Sequence, residues 1–279
     1  MKSIASFTLL MLSFLVSCKK DTLAPIRLTK VETHTTDPLH AAQLLNDSEL
    51  IVVGGDRFLR SVILWSKDSG FNFQLTTTSN IPKAVYGVAK GLNNCIWAMA
   101  FDAKLLKSYD RIHWDCLQLN NWQPYKKVLP LKSNLLLAIG GVSFDQGIIS
   151  TIDSNGNILN TTNFNFECND LKDLGDGMLL IAGYGVFMKS NNFGLTWETQ
   201  SIKNDNFKSI CALNENEYFT CGYNGSIYHT IDGGNHWECL RNGNALQEKS
   251  YRLLAIYFAN SRKGYAVGEE GVVLYTADG

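Results

Sequence analysis

The sequence predicts an all-β fold: a six-bladed β-propeller of four-stranded blades, its ring closed by an N-terminal strand. Three observations predict it. A short pattern recurs, Ser or Thr, any residue, Asp, any residue, Gly, two residues, then an aromatic. Its copies start at residues 66, 108, 151, 190, 230 and 276, with spacings of 42, 43, 39, 40 and 46, which suits four strands per blade. Ahead of the copies lie short apolar runs, five of the six ending in glycine. Near-continuous apolar strands imply sheets covered on both faces. The composition agrees, with 6 Trp, 11 Tyr, 14 Phe and 23 Gly suiting many short strands and tight turns.

Taken in order, residues 1–17 read as a signal peptide. Lys2 is followed by an uncharged apolar run, Ile4 to Val16, shorter than the roughly 20 residues needed to span a bilayer. The end of that run, Leu15-Val16-Ser17-Cys18, resembles the lipobox of bacterial lipoproteins. That resemblance implies a diacylated Cys18 as lipid attachment, stable anchoring by several acyl chains, and residues 18–25 as a lipidated tether. Lys19 rather than Asp follows the cysteine, which favours the outer membrane of the cell envelope. The propeller is expected over residues 26–279. Arg27 to Thr33 alternates and is expected to supply the outermost strand of the last blade. The competing reading is a chain that stops short of that strand.

The first blade begins at Leu39 to Leu45. Two copies of the pattern are complete, Ser66 to Phe73 and Thr230 to Trp237, and Ser190 to Trp197 has Asn in place of Asp. Ser108 to Trp114 is one residue short, Thr151 to Ile158 keeps only its start, and Thr276-Ala277-Asp278-Gly279 opens the sixth. The physics is a hairpin clamp, with the carboxylate and hydroxyl accepting turn N–H groups, glycine supplying a positive φ and the aromatic plugging the space between sheets. Asp68, Asp110, Asp153 and Asp232 are therefore structural.

This pattern resembles the Asp-box, or bacterial neuraminidase repeat, over nearly the whole mature chain. The last repeat, with Gly264-Tyr265-Ala266-Val267-Gly268-Glu269 and Gly271-Val272-Val273-Leu274-Tyr275-Thr276, resembles the photosystem II stability/assembly factor family. The resemblance implies an assembly chaperone that binds a membrane-protein partner, on a propeller of seven blades where six are counted here.

In the families resembled, ligands bind on the face formed by the loops joining the second to the third strand and one blade to the next. The candidate binding residues on that face are Asp56, Arg57, Phe58 and Arg60, then Phe101, Asp102 and Lys104, then Trp122, Phe144 and Asp145. Aromatics mixed with charge are the composition of recognition surfaces; the alternative is that the phenylalanines turn inward and close the loops. The function expected is a non-enzymatic, lipid-anchored envelope scaffold, a monomer binding an envelope or secreted protein or a glycan. The alternative is a glycan-binding protein or sialidase-like glycoside hydrolase. Sialidase chemistry implies several arginines on a substrate carboxylate, yet only seven occur and Arg-Ile-Pro is absent. A glycosidase using Asp56, Asp102 or Asp145 stays open.

No cofactor or metal is expected, because the five histidines lack ligand spacing. A formal charge of −1 without a basic stripe argues against nucleic acid. Of the cysteines after Cys18, Cys211 and Cys221 flank a hairpin turn and are candidates for a bridge. The competing reading makes all six of them small core hydrophobes.

Overall fold

The computed structural model describes residues 31–76, 81, 83–243 and 251–279. The signal peptide, Cys18, the tether and Arg27 to Lys30 of the expected closing strand lie outside the described residues.

All strand pairings are antiparallel and join neighbours in the chain. The first sheet holds β1 (Leu39–Leu44), β2 (Leu50–Asp56), β3 (Arg60–Ser66) and β4 (Gln74–Leu75). The second holds β5 (Val85–Lys90), β6 (Ile96–Ala100), β7 (Lys104–Ser108) and β8 (Asp115–Gln118). The third holds β9 (Tyr125–Pro130), β10 (Leu135–Val142), β11 (Gln146–Asp153) and β12 (Ile158–Phe164). The fourth has six strands, β13 (Cys168–Gly175), β14 (Met178–Ser190), β15 (Glu198–Ala212), β16 (Tyr218–Gly222), β17 (Ile227–Thr230) and β18 (Glu238–Arg241). Two of its strands serve twice. Residues 198–201 of β15 pair with β14, whereas residues 207–212 pair with β16. The last sheet has three strands, β19 (Leu253–Asn260), β20 (Lys263–Gly268) and β21 (Val273–Thr276).

The core lies between sheets. Ile51, Val53, Ile63 and Trp65 pack on Val85, Ile96, Ala98 and Leu106. Trp97, Met99 and Leu105 meet Tyr125, Leu136 and Ile148, and Leu137 and Ile139 meet Leu179, Ile181 and Met188. Leu180 and Phe187 meet Phe207, Ile210 and Tyr218, and Phe219 and Cys221 meet Leu253, Ile256 and Phe258. Each fully buried Leu, Ile or Phe contributes about 1.5–3 kcal/mol.

One backbone hydrogen bond recurs six times, and it accounts for the terminal glycines of the apolar runs. The N–H of Gly55, Phe101, Gly141, Tyr184, Tyr223 and Glu269 donates to the carbonyl of Pro38, Ala84, Pro124, Glu167, Asn206 and Arg252. The residue before each donor is Gly54, Ala100, Gly140, Gly183, Gly222 or Gly268. A Cβ built on Gly54, Gly140, Gly183 or Gly268 would stand 2.0–2.4 Å from that same carbonyl oxygen. The glycines let the incoming connection lie against the second strand. Gly140→Ala is therefore expected to lower stability by about 1–3 kcal/mol, read from the midpoint of denaturant unfolding.

The repeated turns close as expected. Asp68 Oδ1 accepts the N–H of Asn72 at 2.9 Å and Asp232 Oδ1 that of His236 at 2.9 Å. Asn192 Oδ1 does the same for Thr196 at 2.9 Å. The Ser66, Ser190 and Thr230 hydroxyls accept the N–H of Gly70, Gly194 and Gly234. Hydrogen bonds from residue 72, 157 or 236 hold the Asp68, Asp153 and Asp232 carboxyls below the usual range, Asp232 at about 2. These groups are more acidic folded than unfolded, so their contribution is complete above the unfolded value of 3.8 and is lost as pH falls through the folded values. The melting temperature is expected to fall on acidification from pH 4 towards 2, less steeply in high salt.

One expectation needs correction, and of the two readings of the cysteines the bridge is the one that fails. Val31 to Thr33 lie in no sheet, and the ring is not closed among the described residues, where no core cluster joins the last sheet to the first. Cys211 stands opposite Phe219, and Cys221 opposite Ser209. The two thiols are thus out of register for a bridge, and Cys95, Cys168, Cys211 and Cys221 are buried and free.

Candidate functional site

The first strand of every repeat carries a β-bulge at its second residue. Pairing with the neighbouring strand skips from Leu39 to Ala41, Val85 to Gly87, Tyr125 to Lys127, Cys168 to Asp170, Phe207 to Ser209 and Leu253 to Ala255. A bulge re-aims the side chain of the extra residue. The six bulged residues, His40, Tyr86, Lys126, Asn169, Lys208 and Leu254, all line one cavity of 610 Å³. Arg57, Phe101 and Gly268 line it too, which places this mouth on the face carrying the second-to-third strand loops.

Charge is concentrated on one side of the mouth. Lys126 Nζ donates to Glu167 and to Asn169 Oδ1, the latter at 2.9 Å. Lys208 Nζ lies 3.8 Å from Glu167 Oε2 and 3.4 Å from Asn169 Oδ1. Asn206 Nδ2 donates to the same Glu167 oxygen at 3.2 Å. Two ammonium groups therefore share one buried carboxylate. Burial lowers the pKa of both lysines, and the Lys126 charge pushes Lys208 further, to about 8. Neighbouring Lys127 is neutralised separately by Asp170 at 3.3 Å.

Arg57 adds a third cation to the lining, and its charge acts on Lys126. Its guanidinium lies 4.5 Å from the Phe101 ring centroid and 5.3 Å from that of Phe58, in the range of cation–π attraction. Phe58 meets Phe101 edge-on at 5.3 Å, Tyr86 approaches Phe101 at 6.4 Å, and His40 lies tilted against Tyr86 at 4.8 Å. An aromatic ladder thus runs from the rim into the mouth.

The structure divides the ten candidate residues. Arg57, Phe58 and Phe101 come together; Asp56 instead accepts the N–H of Phe58 and Leu59 at 3.0 and 3.1 Å, shaping their turn. Asp102 sits at φ 60° and pairs with Lys83 at 3.2 Å, while Lys104 donates to Gln118 at 2.6 Å. Arg60 points outward onto Asp37, with two bonds of 2.6 and 2.8 Å. Phe144 packs on Tyr184 at 5.2 Å, away from the other phenylalanines. Trp122, 71% exposed, and Asp145 stand outside the cavity lining. Arg57 and Arg60 do not converge, so the arginine clamp implied by the sialidase resemblance is not formed by this pair. Loop reading missed Lys126, Glu167, Asn169 and Lys208. Their signal is positional: Lys126 and Asn169 are the second residues of β9 and β13, Glu167 directly precedes β13, and Lys208 follows Phe207, the first residue of β15 to pair with β16.

The family model of the photosynthesis system II assembly factor YCF48 matches residues 176–277. The chain is a BNR-type β-propeller that resembles YCF48. The solved structure of YCF48 from Cyanidioschyzon merolae has a TM-score of 0.67 at 14% identity, over 90% of this chain and 85% of that one. A catalytically inactive virginiamycin B lyase from Staphylococcus aureus, crystallised with quinupristin, has 0.66 at 15%, over 85% and 80%. The GH74 enzyme of Niastella koreensis has 0.63 at 13%, over 86% of this chain and 45% of that one. At these identities the likeness is one of fold. A search of curated proteins finds no match.

Proposed function

We propose that this chain is a non-enzymatic binding scaffold, a six-bladed propeller lipid-anchored through Cys18 at the outer membrane. In this reading the mouth holds an acidic segment of an envelope or secreted protein. The observation that carries it is the bulge ring, where Lys126 and Lys208 share Glu167 and Arg57 lies over Phe101 without an ion pair to a carboxylate among the described residues. Lys126, Lys208 and Arg57 face one carboxylate, Glu167, so these groups are two anions short of neutrality. Acidic side chains of a partner complete the site, and the Phe58–Phe101–Tyr86 ladder supplies the apolar anchor expected beside a buried charge. The resemblance to an assembly factor supports a protein as partner.

The experiment is chemical crosslinking of the tagged chain in its native cell, with mass spectrometry of the adducts. The captured protein is then titrated against the purified chain. Saturable binding to that protein supports the reading. Binding to a glycan panel with none to protein overturns it and moves attention to Trp122.

A further inference from the structure

Phe144 and Tyr184 form an exposed aromatic pair at the edge of the mouth. Val142 lines the cavity, and the loop from β10 to β11 places Phe144 two residues further on. Its ring lies 5.2 Å from that of Tyr184, tilted by 41°. The two residues are 50% and 47% exposed, so about half of this apolar surface faces water. The backbone that presents it is strained. Ser143 and Phe144 take φ of 61° and 67°, in the left-handed region that bulky side chains rarely enter. At the bend of β14 beside Tyr184 the left-handed residue is instead a glycine, Gly185 at φ 64°. Strain of this kind clusters at ligand clamps.

Main-chain hydrogen bonds tie this pair to the charged site. The Glu167 N–H donates to the Phe144 carbonyl at 2.9 Å, and the Tyr184 N–H donates to the Glu167 carbonyl at 2.9 Å. Glu167 is thus held between the two aromatic residues, while its carboxylate accepts from Lys126 and lies 3.8 Å from Lys208. One hydrogen bond and the lengths of a glutamate and a phenylalanine side chain set the rings on the order of 10–13 Å from the ammonium groups. In an extended segment, residues two apart share a face at about 6.6 Å and residues four apart at about 13 Å. Four is the spacing that reaches from one site to the other.

We infer that Phe144 and Tyr184 are a second station for the segment bound in the mouth, receiving an aromatic side chain four residues from the acidic group held at Lys126 and Lys208. The inference rests on the reading of the mouth as the site of an acidic segment, and adds which acidic segments are selected. The occupant is aromatic because the exposed, mutually tilted rings offer both edge and face, the geometry in which a further ring packs. The shared residue couples the two stations. Glu167 orders the lysines through its carboxylate and the aromatic pair through its main chain, so one extended segment meets both in a fixed relation.

Fluorescence anisotropy of labelled peptides titrated with the full chain tests this. The probes are Gly/Ser peptides carrying a glutamate pair alone, a phenylalanine alone, or both at increasing separations. The glutamate pair is expected to bind, and a phenylalanine four residues away to tighten it roughly tenfold, with no gain when the two are adjacent. Tyr184→Ala should bring the tighter peptide down to the affinity of the glutamate pair, whereas Lys208→Gln should weaken both. Phe144→Gly should also remove the gain while the melting temperature holds or rises, because glycine enters the left-handed region freely; a pair serving only the fold would not behave so. Glutamate binding with no gain at any separation overturns the second station and leaves the mouth standing. So does a gain that persists in Tyr184→Ala, or a melting temperature that falls in Phe144→Gly. No binding by any acidic peptide overturns the reading of the mouth and this inference with it.

Discussion

Asp170→Ala is expected to cost about 3 kcal/mol of folding stability, the lower end for breaking a buried ion pair because its lysine partners reach water. The carboxylate is almost wholly buried, with Lys127 at 3.3 Å, Lys172 at 3.9 Å and the Ile210 N–H donating at 3.0 Å. It therefore ties the third sheet to both halves of the fourth. Burial alone would raise its pKa, but Lys127, Lys172 and the backbone donors win, and the group is held below the usual carboxylate range. The folded group is thus more acidic than the unfolded one. Its contribution is complete above the unfolded value of 3.8 and disappears as pH falls through the folded value. Urea unfolding at pH 7 and at pH 3 checks both parts. Asp170→Asn keeps an acceptor for Ile210 and should lose less, whereas equal losses would show that the hydrogen bond contributes nothing.

Lys126→Gln and Lys208→Gln are each expected to weaken partner binding about 30-fold, or about 2 kcal/mol, the size of a hot-spot residue. Both keep a donor while removing the charge, so folding should survive. The pH dependence gives a second signature. With its pKa lowered to about 8, Lys208 carries its charge below that pH and loses it above, so affinity should decline through pH 8 by up to about tenfold per pH unit. Binding by calorimetry at pH 7 and pH 9 measures this, and in Lys208→Gln the decline should vanish.

Much of the architecture was legible because its determinants are local. The clamp at Asp68 or Asp232 needs only residues within one turn, and the terminal glycines answer to one repeated carbonyl contact, so both leave a mark at fixed spacing. The mouth was legible only in its loops, through Arg57, Phe58 and Phe101. Lys126 and Lys208 read as ordinary strand residues, since a bulge is a property of pairing between two strands and leaves no composition signal. Asp37, the partner that draws Arg60 outward, is likewise distant in sequence. The pairing of Phe144 with Tyr184 instead of Phe101 reflects which loops the ring sets side by side, which no single repeat encodes.

The most direct measurement replaces Tyr86 or His40 with the photocrosslinker p-benzoylphenylalanine in cells, and Leu159 of the outer strand β12 as control. The account predicts that both mouth positions capture the same protein and Leu159 captures none. Capture from Leu159 alone, or different proteins from Tyr86 and His40, would contradict it.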